Sequence, residues 1–281
     1  MANPVIPIIG EIDKPDGWVS IIADLDVVIE CVGGTADIKT LSEELFTAIK
    51  KAALALRPPG APKLTYIYTS GTWVHGEDRN TVVTDSTPIR SPAELVAWRP
   101  DREQIVVKDQ VLNGIVIRPG LLYGRSGSLL APFFHDASQG SVWYPGTPGG
   151  RFAVIHTDDL ADLFVRASEK AVLSGGLIFD AANNQTESTD DVLDALVKVS
   201  GAKKPYEYRK PANCVFFFIL NSYLIVSNPY IISSVRSCPR NDFTSQAIPC
   251  QDSSWMESKQ ARSRRWPPHL LCCMESCPVN T

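Results

Sequence analysis

Hydroxyl and glycine residues stand at the ends of two apolar segments of this 281-residue chain, where they suit the binding of a polar small molecule. Ser70 closes the segment 63–70 and Thr72 follows it, so that their hydroxyl groups can orient a substrate oxygen. Hydroxyl residues are also common in turns at strand ends, and a purely structural role for this pair is the alternative. Gly33 and Gly34 end another apolar segment, where the absence of a Cβ lets the backbone approach a ribose or a base closely.

The segments that must position these residues alternate between strands and helices. Short apolar, β-branched segments predict strands over 4–12, 26–34, 63–70, 115–118, 151–156 and 175–181. Apolar residues at helical spacing predict helices over 17–23, 37–56, 92–112 with a break near Pro100, the segment after residue 156, and 190–200. We expect Thr157 or Asp158 to cap the fourth of these helices and Thr189 to cap the last, which ends at Gly201. The alternation predicts an α/β fold with a parallel, doubly wound sheet, whose ligands bind where the strands end.

Composition and charge restrict the class of protein. A formal net charge of −4 and the absence of a basic stripe argue against a nucleic-acid partner or a polybasic membrane contact. The first residues do not resemble a signal peptide, and a single cysteine in residues 1–213 predicts a reducing, cytoplasmic location. The other six of the seven cysteines follow no metal-ligand spacing, and no metal site is predicted.

Four segments, in order, resemble motifs of the extended short-chain dehydrogenases, the NAD(P)-dependent sugar-nucleotide epimerases, dehydratases and reductases. Residues 66–76 (Tyr-Ile-Tyr-Thr-Ser-Gly-Thr-Trp-Val-His-Gly) resemble the motif on the fifth strand of that family. Residues 117–124 (Ile-Arg-Pro-Gly-Leu-Leu-Tyr-Gly) resemble its Arg-Pro-x-x-x-Tyr-Gly segment, and residues 152–161 (Phe-Ala-Val-Ile-His-Thr-Asp-Asp-Leu-Ala) its Val-His-Val-Asp-Asp-Leu-Ala segment. Residues 26–34 resemble the fourth strand, which ends beside the adenosine of the cofactor.

This resemblance implies a Rossmann-like domain over residues 1–213, a small-molecule substrate and a nicotinamide cofactor, NAD or NADP. It implies three catalytic residues: Ser70, Thr72 and Tyr123. The cofactor contacts that it implies are Cys31, Gly33, Gly34, Ser70, Arg102, Pro119, Gly120 and Leu121. It implies substrate contacts from Trp98 and from Arg151, which stands where the family often holds a substrate phosphate. Assembly as a homodimer is left open.

The chain departs from the family at its phosphate-binding turn. No Gly-x-x-Gly-x-x-Gly turn precedes the segment 4–12, so we expect an N-terminally truncated sheet that lacks the first two strands of the family.

The catalytic residues of the family are also replaced. Trp98 and Arg102 stand in place of the Tyr-x-x-x-Lys pair. The indole of a tryptophan only donates a hydrogen bond, and the guanidinium of an arginine keeps its proton at neutral pH, so neither can act as an acid–base group. Gly71 stands at the position of the catalytic Ser or Thr. His75 replaces a tyrosine, and we expect it to be packed and hydrogen-bonded rather than a catalytic base.

Three charged residues near the motifs have structural interpretations. We expect Arg118 to form an ion pair with the region of Asp158 and Asp159. We expect the two aspartates to be a helix cap and its neighbour rather than catalytic acids.

Residues 214–281 resemble no part of the family and are expected to form a separate, poorly ordered region. The apolar stretch 214–232 has about the length of a membrane anchor, although two asparagines and a proline interrupt it. We favour a gene-model error, in which an unspliced intron supplies this stretch and shifts the reading frame.

Three functions follow from the sequence. The first is an NAD(P)-dependent oxidoreductase or epimerase that acts on a sugar nucleotide or a small carbonyl compound. The second is a non-catalytic nucleotide-binding module of the same fold, which the replaced catalytic positions favour. The third is an inactive, truncated fragment.

Overall fold

The computed structural model describes residues 6–33, 37–125, 129–202 and 205–209. The chain divides into two compact units, Met1–Arg236 and Ser237–Thr281, and every described residue belongs to the first. The predicted boundary after residue 213, the stretch 214–232 and Gly34 lie outside the described residues. In the part that is described, no helix has both the length and the hydropathy required to cross a bilayer.

The described residues form short strands and helices in alternation. The strands are β1 (Val27–Glu30), β2 (Thr65–Thr69), β3 (Asn113–Pro119), β4 (Leu121–Tyr123), β5 (Trp143–Pro145), β6 (Arg151–Phe152), β7 (Val154–His156), β8 (Ile178–Ala181), β9 (Glu187–Ser188) and β10 (Glu207–Arg209). The α-helices are α1 (Ile38–Leu56), α2 (Arg99–Val107), α3 (Ala131–Ser138), α4 (Thr157–Glu169), α5 (Ala171–Ser174) and α6 (Thr189–Ser200). Four 3₁₀ turns lie between them, at Pro15–Gly17, Val19–Asp24, Thr72–His75 and Glu94–Val96.

A parallel four-stranded sheet is the centre of this unit, in the order β1-β2-β3-β8. Helices lie in the connections between its strands, which confirms the α/β fold with a parallel sheet and crossover helices that the sequence predicts. Three pairs of strands lie beside it: β4 with β7 and β5 with β10 are parallel, and β6 with β9 is antiparallel. Because the four central strands are parallel, their carboxyl ends share one edge.

Two apolar clusters enclose the central sheet. One lies among the sheet, α1, α2 and the turn Val19–Asp24, and includes Trp18, Ile49 and Tyr66. The other lies between the sheet and α4, and includes Ile67, Ile117 and Leu160. Alternate residues of a strand point to opposite faces, which is why neighbours such as Tyr66 and Ile67 belong to different clusters.

Two helix caps lie one residue before the positions predicted from the sequence. The side chain of His156 accepts a hydrogen bond from the backbone N–H of Asp158, and Ser188 caps α6 in the same way. Thr157 and Thr189 are already the first helical residues, so the predictions of Thr157 or Asp158 and of Thr189 as caps are wrong. A cap needs an extended backbone, and His156 and Ser188 have it, with ψ of 141° and 132°.

Another predicted element differs from the structure: residues 6–12 form no strand, and Pro7 contributes no N–H to a ladder there. The predicted break near Pro100 is confirmed, because the 3₁₀ turn Glu94–Val96 ends before α2 begins at Arg99. Pro100 lies in the first turn of α2, where its missing N–H has no helical partner to lose. The prediction that α6 ends at Gly201 is confirmed, because this glycine has φ of +69° in the left-handed region.

Gly114 brings β3 against the end of α2, which gives a test of this packing. A Cβ built on Gly114 lies 2.0 Å from the carbonyl oxygen of Val106, whereas nothing lies within 4 Å of one built on the exposed Gly17. We expect Gly114→Ala to lower the free energy of unfolding by about 1–3 kcal/mol, since backbone atoms must shift. Urea unfolding monitored by circular dichroism measures this, and Gly17→Ala is the matched control. Equal stabilities of the two variants would contradict the packing described.

Candidate functional site

The carboxyl ends of β1, β2 and β3 bring several of the predicted residues to one edge. Ser70 follows β2, and its N–H donates to the carbonyl of Ile117 in β3 at 2.8 Å. Cys31 follows β1, and its Sγ lies 3.6 Å from Oγ1 of Thr69. Gly120 follows β3, and its N–H donates to the carbonyl of Ala181 at the end of β8 at 2.8 Å. Ser70 and Gly120 therefore stand at the same edge of the sheet, on adjacent strands.

Gly120 marks a close crossing of two chain segments. A Cβ at this position would lie 2.6 Å from the carbonyl oxygen of Ala153, the same oxygen that accepts the N–H of Leu121 at 2.7 Å. Together with the buried Pro119, this crossing fixes the turn from β3 into β4.

Ser70 is the outer member of a buried polar network. Its Oγ donates to Oε1 of Glu103 at 2.5 Å, and Glu103 has 0% exposure. Arg118 donates to the two oxygens of the same carboxylate, from Nε at 3.0 Å and from Nη2 at 2.5 Å. Nη1 of Arg118 reaches Asp180 at 3.5 Å, and Asp180 bonds Nε2 of His75 at 2.8 Å. The network joins the ends of β2, β3 and β8 to α2.

This network confirms one expectation and corrects another. His75 is packed, with a side chain 7% exposed, and it is hydrogen-bonded to Asp180. Arg118, however, pairs with Glu103 and Asp180, not with the region of Asp158 and Asp159. Asp158 lies in the exposed first turn of α4 and accepts from Arg125.

Thr72 begins the 3₁₀ turn Thr72–His75 that follows Ser70, and it is half-buried. Its hydroxyl has no hydrogen-bond partner among the described residues. Gly71 precedes it in an extended conformation, and a Cβ built there would meet only the carbonyl oxygen of Pro119, at 3.8 Å. The segment 70–72 is therefore bordered by the end of β3.

The rotation of α2 about its axis decides which of its side chains reach the strand ends. Arg102 is 6% exposed and turns toward α1, where Nη2 donates to the carbonyl of Ser42 and the guanidinium lies over the ring of Phe46. Arg99 and Glu103, one position later than the predicted Trp98 and Arg102, reach the end of β2. These two residues share a helix face because they are four positions apart.

Arg99 is a residue that the motif comparison missed. Its Nη1 donates to the hydroxyl of Tyr68 at 2.8 Å and to the carbonyl of Thr69 at 3.0 Å, and its guanidinium lies 4.7 Å from the ring centre of the half-buried Trp98. Arg99 and Glu103 are four residues apart in a helix that follows a strand, and this spacing is the sequence feature that could have identified both.

Tyr123 and Arg151 lie on the smaller strand pairs. Tyr123 is buried, its ring packs edge-on against His156, and its hydroxyl accepts from Nδ2 of Asn183 at 3.4 Å. Arg151 is exposed, and it donates to the hydroxyl and to the carbonyl of Thr186, each at 2.5 Å. These contacts locate the two side chains on β4 and β6, beyond the strand ends that carry Ser70.

The end of β1 combines a buried acid with open space. Glu30 is buried and accepts a hydrogen bond from the hydroxyl of Tyr66, and burial raises the pKa of the Glu30 carboxyl. Burial likewise raises the pKa of Tyr68, on the same face of the sheet. Three residues after Glu30, no described atom lies within 4 Å of a Cβ built on Gly33.

Across the described ranges, no group of three or more His, Cys, Asp and Glu side chains is arranged to hold a metal ion.

Comparison with known proteins rests on structure, because no family model and no curated protein matches this sequence. The dTDP-glucose 4,6-dehydratase of Bacillus anthracis, solved in complex with NAD, is 17% identical over 73% of this chain and 67% of its own, with a TM-score of 0.60. The UDP-glucuronic acid 4-epimerase of Bacillus cereus, in complex with UDP-glucuronic acid and NAD, is 18% identical over 78% and 76%, with a TM-score of 0.54. RMD from Pseudomonas aeruginosa, complexed with NADPH, is 15% identical over 74% and 77%, with a TM-score of 0.55.

These similarities establish the fold. The described part of the chain has the Rossmann-like fold of the NAD-dependent epimerases and dehydratases, as the four motifs predict. Identities of 13–20% leave the substrate to be argued from the residues of this chain.

The buried pair between Arg118 and Glu103 predicts a large stability difference. We expect Arg118→Met to lower the free energy of unfolding by about 3–5 kcal/mol, because it leaves a buried carboxylate without its cation. The matched control is Arg166→Met, which removes an exposed pair with Asp162 and should change stability by less than about 1 kcal/mol. Denaturant unfolding of both variants decides the point, and similar losses would show that the pair is not buried as described.

The raised pKa of Glu30 predicts a pH dependence of stability. An acid whose pKa rises on folding holds a proton that the unfolded chain releases, so it lowers the free energy of unfolding as pH rises from the unfolded to the folded pKa. Glu30→Gln removes this effect. We expect its stability relative to wild type to be greater at about pH 7 than at about pH 4. Urea unfolding at both pH values measures the difference, with the exposed Glu44→Gln as the control, and a difference that falls with pH would contradict the assignment.

Proposed function

We propose that this chain is an NAD(P)-dependent oxidoreductase or epimerase that acts on a sugar nucleotide or a small carbonyl compound. The observation that carries the proposal is the shared edge at which Ser70, Thr72 and Gly120 follow adjacent parallel strands. In a parallel α/β sheet that edge is the ligand-binding crevice. The fold of the nicotinamide-dependent epimerases and dehydratases supports the same kind of activity.

The cofactor contacts that we propose follow the strand ends in order. Gly33 offers open space beside β1 for the adenosine half. Cys31 and Gly34 complete this part of the proposed set, and Gly34 lies outside the described residues. Ser70 and the turn Pro119–Leu121 border the place where the other half would lie. When bound, a nicotinamide dinucleotide supplies the exchange of a hydride with a substrate carbon, and the protein supplies binding and orientation.

The substrate contacts belong to residues around this edge. Ser70 and Thr72 would hold a substrate oxygen, and Tyr123 adds a buried phenol on the neighbouring β4. Trp98, stacked on Arg99, would contact the substrate beside β2, and Arg151 would bind an anionic group farther out. Arg102, although part of the proposed cofactor set, supports the site from its buried position against α1.

A non-catalytic nucleotide-binding module is the second candidate, and one observation favours it. The helix face that reaches the end of β2 carries Arg99 and Glu103 instead of a tyrosine and a lysine. Glu103 is fully engaged by Ser70 and Arg118, so it is not free to exchange a proton with a substrate.

Titration of the purified chain with NADH and with NADPH, followed by fluorescence, tests the proposal. We expect saturable binding of one of them and, with a carbonyl substrate, its oxidation measured by absorbance. Gly33→Leu places a side chain in the open space beside β1 and should weaken binding about tenfold or more. Gly17→Leu, also on open backbone, is the matched control.

The outcomes separate the candidates. Binding without turnover supports the module, and the absence of both contradicts the enzyme and the module alike, leaving an inactive fragment. Binding that is equally strong in Gly33→Leu and in Gly17→Leu would remove the end of β1 from the cofactor site.

A further inference from the structure

Arg99 begins α2 beside the end of β2, and the protein uses only part of its guanidinium. A guanidinium has five N–H donors, two of which belong to Nη1. Nη1 of Arg99 donates to the hydroxyl of Tyr68 at 2.8 Å and to the carbonyl of Thr69 at 3.0 Å. Within the described part of the chain, the N–H groups of Nε and Nη2 have no hydrogen-bond partner. These donors are therefore left for a ligand.

The unused nitrogens of Arg99 are accessible, which sets this residue apart from two other arginines. Its side chain is half-buried, and neither Nε nor Nη2 is among the described side-chain atoms that are buried without a partner. The Nε atoms of Arg57 and Arg102, by contrast, are buried in that way. Because Arg99 lies at the carboxyl end of β2, its accessible donors stand at the edge where a parallel sheet binds its ligands.

The guanidinium of Arg99 is held in place by contacts on its other sides. Besides the two hydrogen bonds from Nη1, its Cζ lies 4.7 Å from the ring centre of Trp98 and 5.8 Å from that of Tyr68. Stacking on an aromatic ring and hydrogen bonds together fix the plane of a guanidinium. A side chain that is already ordered loses less conformational entropy when it binds a ligand.

The charge of Arg99 is not compensated by a neighbouring acid. Glu103, on the same face of α2, is paired with Arg118, and Glu30 accepts a hydrogen bond from Tyr66. Within the described ranges, Arg99 itself forms no ion pair with a carboxylate. The end of β2 therefore presents a positive charge with donors that an anionic ligand can use.

We propose that Nε and Nη2 of Arg99 bind a carboxylate of the substrate, and that the substrate is an oxo acid, a carbonyl compound that also carries a carboxylate. The N–H of Nε and one N–H of Nη2 point in the same direction and match the two oxygens of a carboxylate in a bidentate pair. The inference deepens the proposed function and rests on it in taking the ligand to be the substrate. Arg99 is a binding residue, since a guanidinium does not titrate.

Calorimetric titration of the full chain with pyruvate and with methyl pyruvate tests the inference. The two probes share a carbonyl group, but only pyruvate carries a charged carboxylate. We expect wild type to prefer pyruvate by about tenfold or more, because only pyruvate forms hydrogen bonds between charged groups. Arg99→Met should weaken the binding of pyruvate about 30-fold and that of the ester by less than about twofold. Each titration is made without cofactor and again with the oxidised cofactor that wild type binds.

Two further variants separate the loss of the anion site from a loss of structure, and urea unfolding checks that each variant is folded. Arg57→Met is the matched control, because Arg57 also donates to backbone carbonyls, those of Leu25 and Pro62, which precede β1 and β2 at the opposite edge. It should change the binding of either probe by less than about twofold. Arg99→Lys keeps the charge without the fork and should weaken pyruvate binding about tenfold. Equal weakening of both probes in the Arg99 variants would show a purely structural role and would overturn the inference.

Inorganic phosphate is the third probe, because a guanidinium also binds phosphate groups. We expect phosphate to bind more weakly than pyruvate. Tighter binding of phosphate, lost in Arg99→Met, would assign the site to a phosphate group and overturn the carboxylate assignment.

The results distinguish this inference from the proposed function. If wild type binds NADH or NADPH while Arg99→Met binds pyruvate as tightly as wild type, the inference is overturned and the proposed function stands. Failure of wild type to bind pyruvate, with and without cofactor, overturns the inference as well. If wild type binds pyruvate through Arg99 but binds neither cofactor, the proposed function fails and the carboxylate site stands.

Discussion

The buried contact between Glu103 and Arg118 is the interaction on which the carboxyl-terminal edge of the central sheet depends. It lies where α2 crosses the end of β3, and it fixes Ser70 on one side and Asp180 with His75 on the other. Transfer of two charges from water is costly, and their attraction offsets this only when the remaining hydrogen bonds are also made. Here the carboxylate receives three donors, so the geometry of Ser70 is tied to the integrity of the sheet.

The two faces of the sheet differ in how polar their packing is. The face toward α4 is apolar, with Ile67, Ile117 and Leu160. The face toward α1 carries Tyr66, with its hydroxyl on Glu30, and Arg102, whose guanidinium crosses from α2 to α1. Buried polar groups of this kind fix the orientation of neighbouring helices, because each alternative arrangement leaves one of them without a partner. The open position at Gly33 therefore lies beside a strand whose packing against α1 and α2 is fixed by these polar contacts.

The local sequence pattern predicted many of the strands and helices. It did not predict which side chains distant in the sequence pair with each other in the fold. The apolar runs predicted β1, β2 and β3, and the glycine after α6 predicted where that helix ends. The partner of Arg118 was not predicted, because Glu103, Asp158 and Asp180 are all plausible acids until the chain is folded. The motif comparison predicts Arg102 as a cofactor contact; in the structure its guanidinium lies against α1, and Arg99 and Glu103, on another face of α2, reach the end of β2. The two missed caps have a local cause, since His156 and Ser188 are each followed by a threonine that caps equally well by type.

The junction between β3 and β4 has a consequence for motion. Gly120 bonds the end of β8, Leu121 bonds Ala153, and the N–H of Asn183 bonds Val154 while its side chain reaches Tyr123. These hydrogen bonds join the central sheet to the pair of β4 and β7, before and after the close approach at Gly120. The segment Pro119–Tyr123 is therefore held at several points and is not expected to act as a hinge. Local motion at this edge is therefore expected in the surface turns, such as Thr72–His75, while the strands beneath them stay fixed.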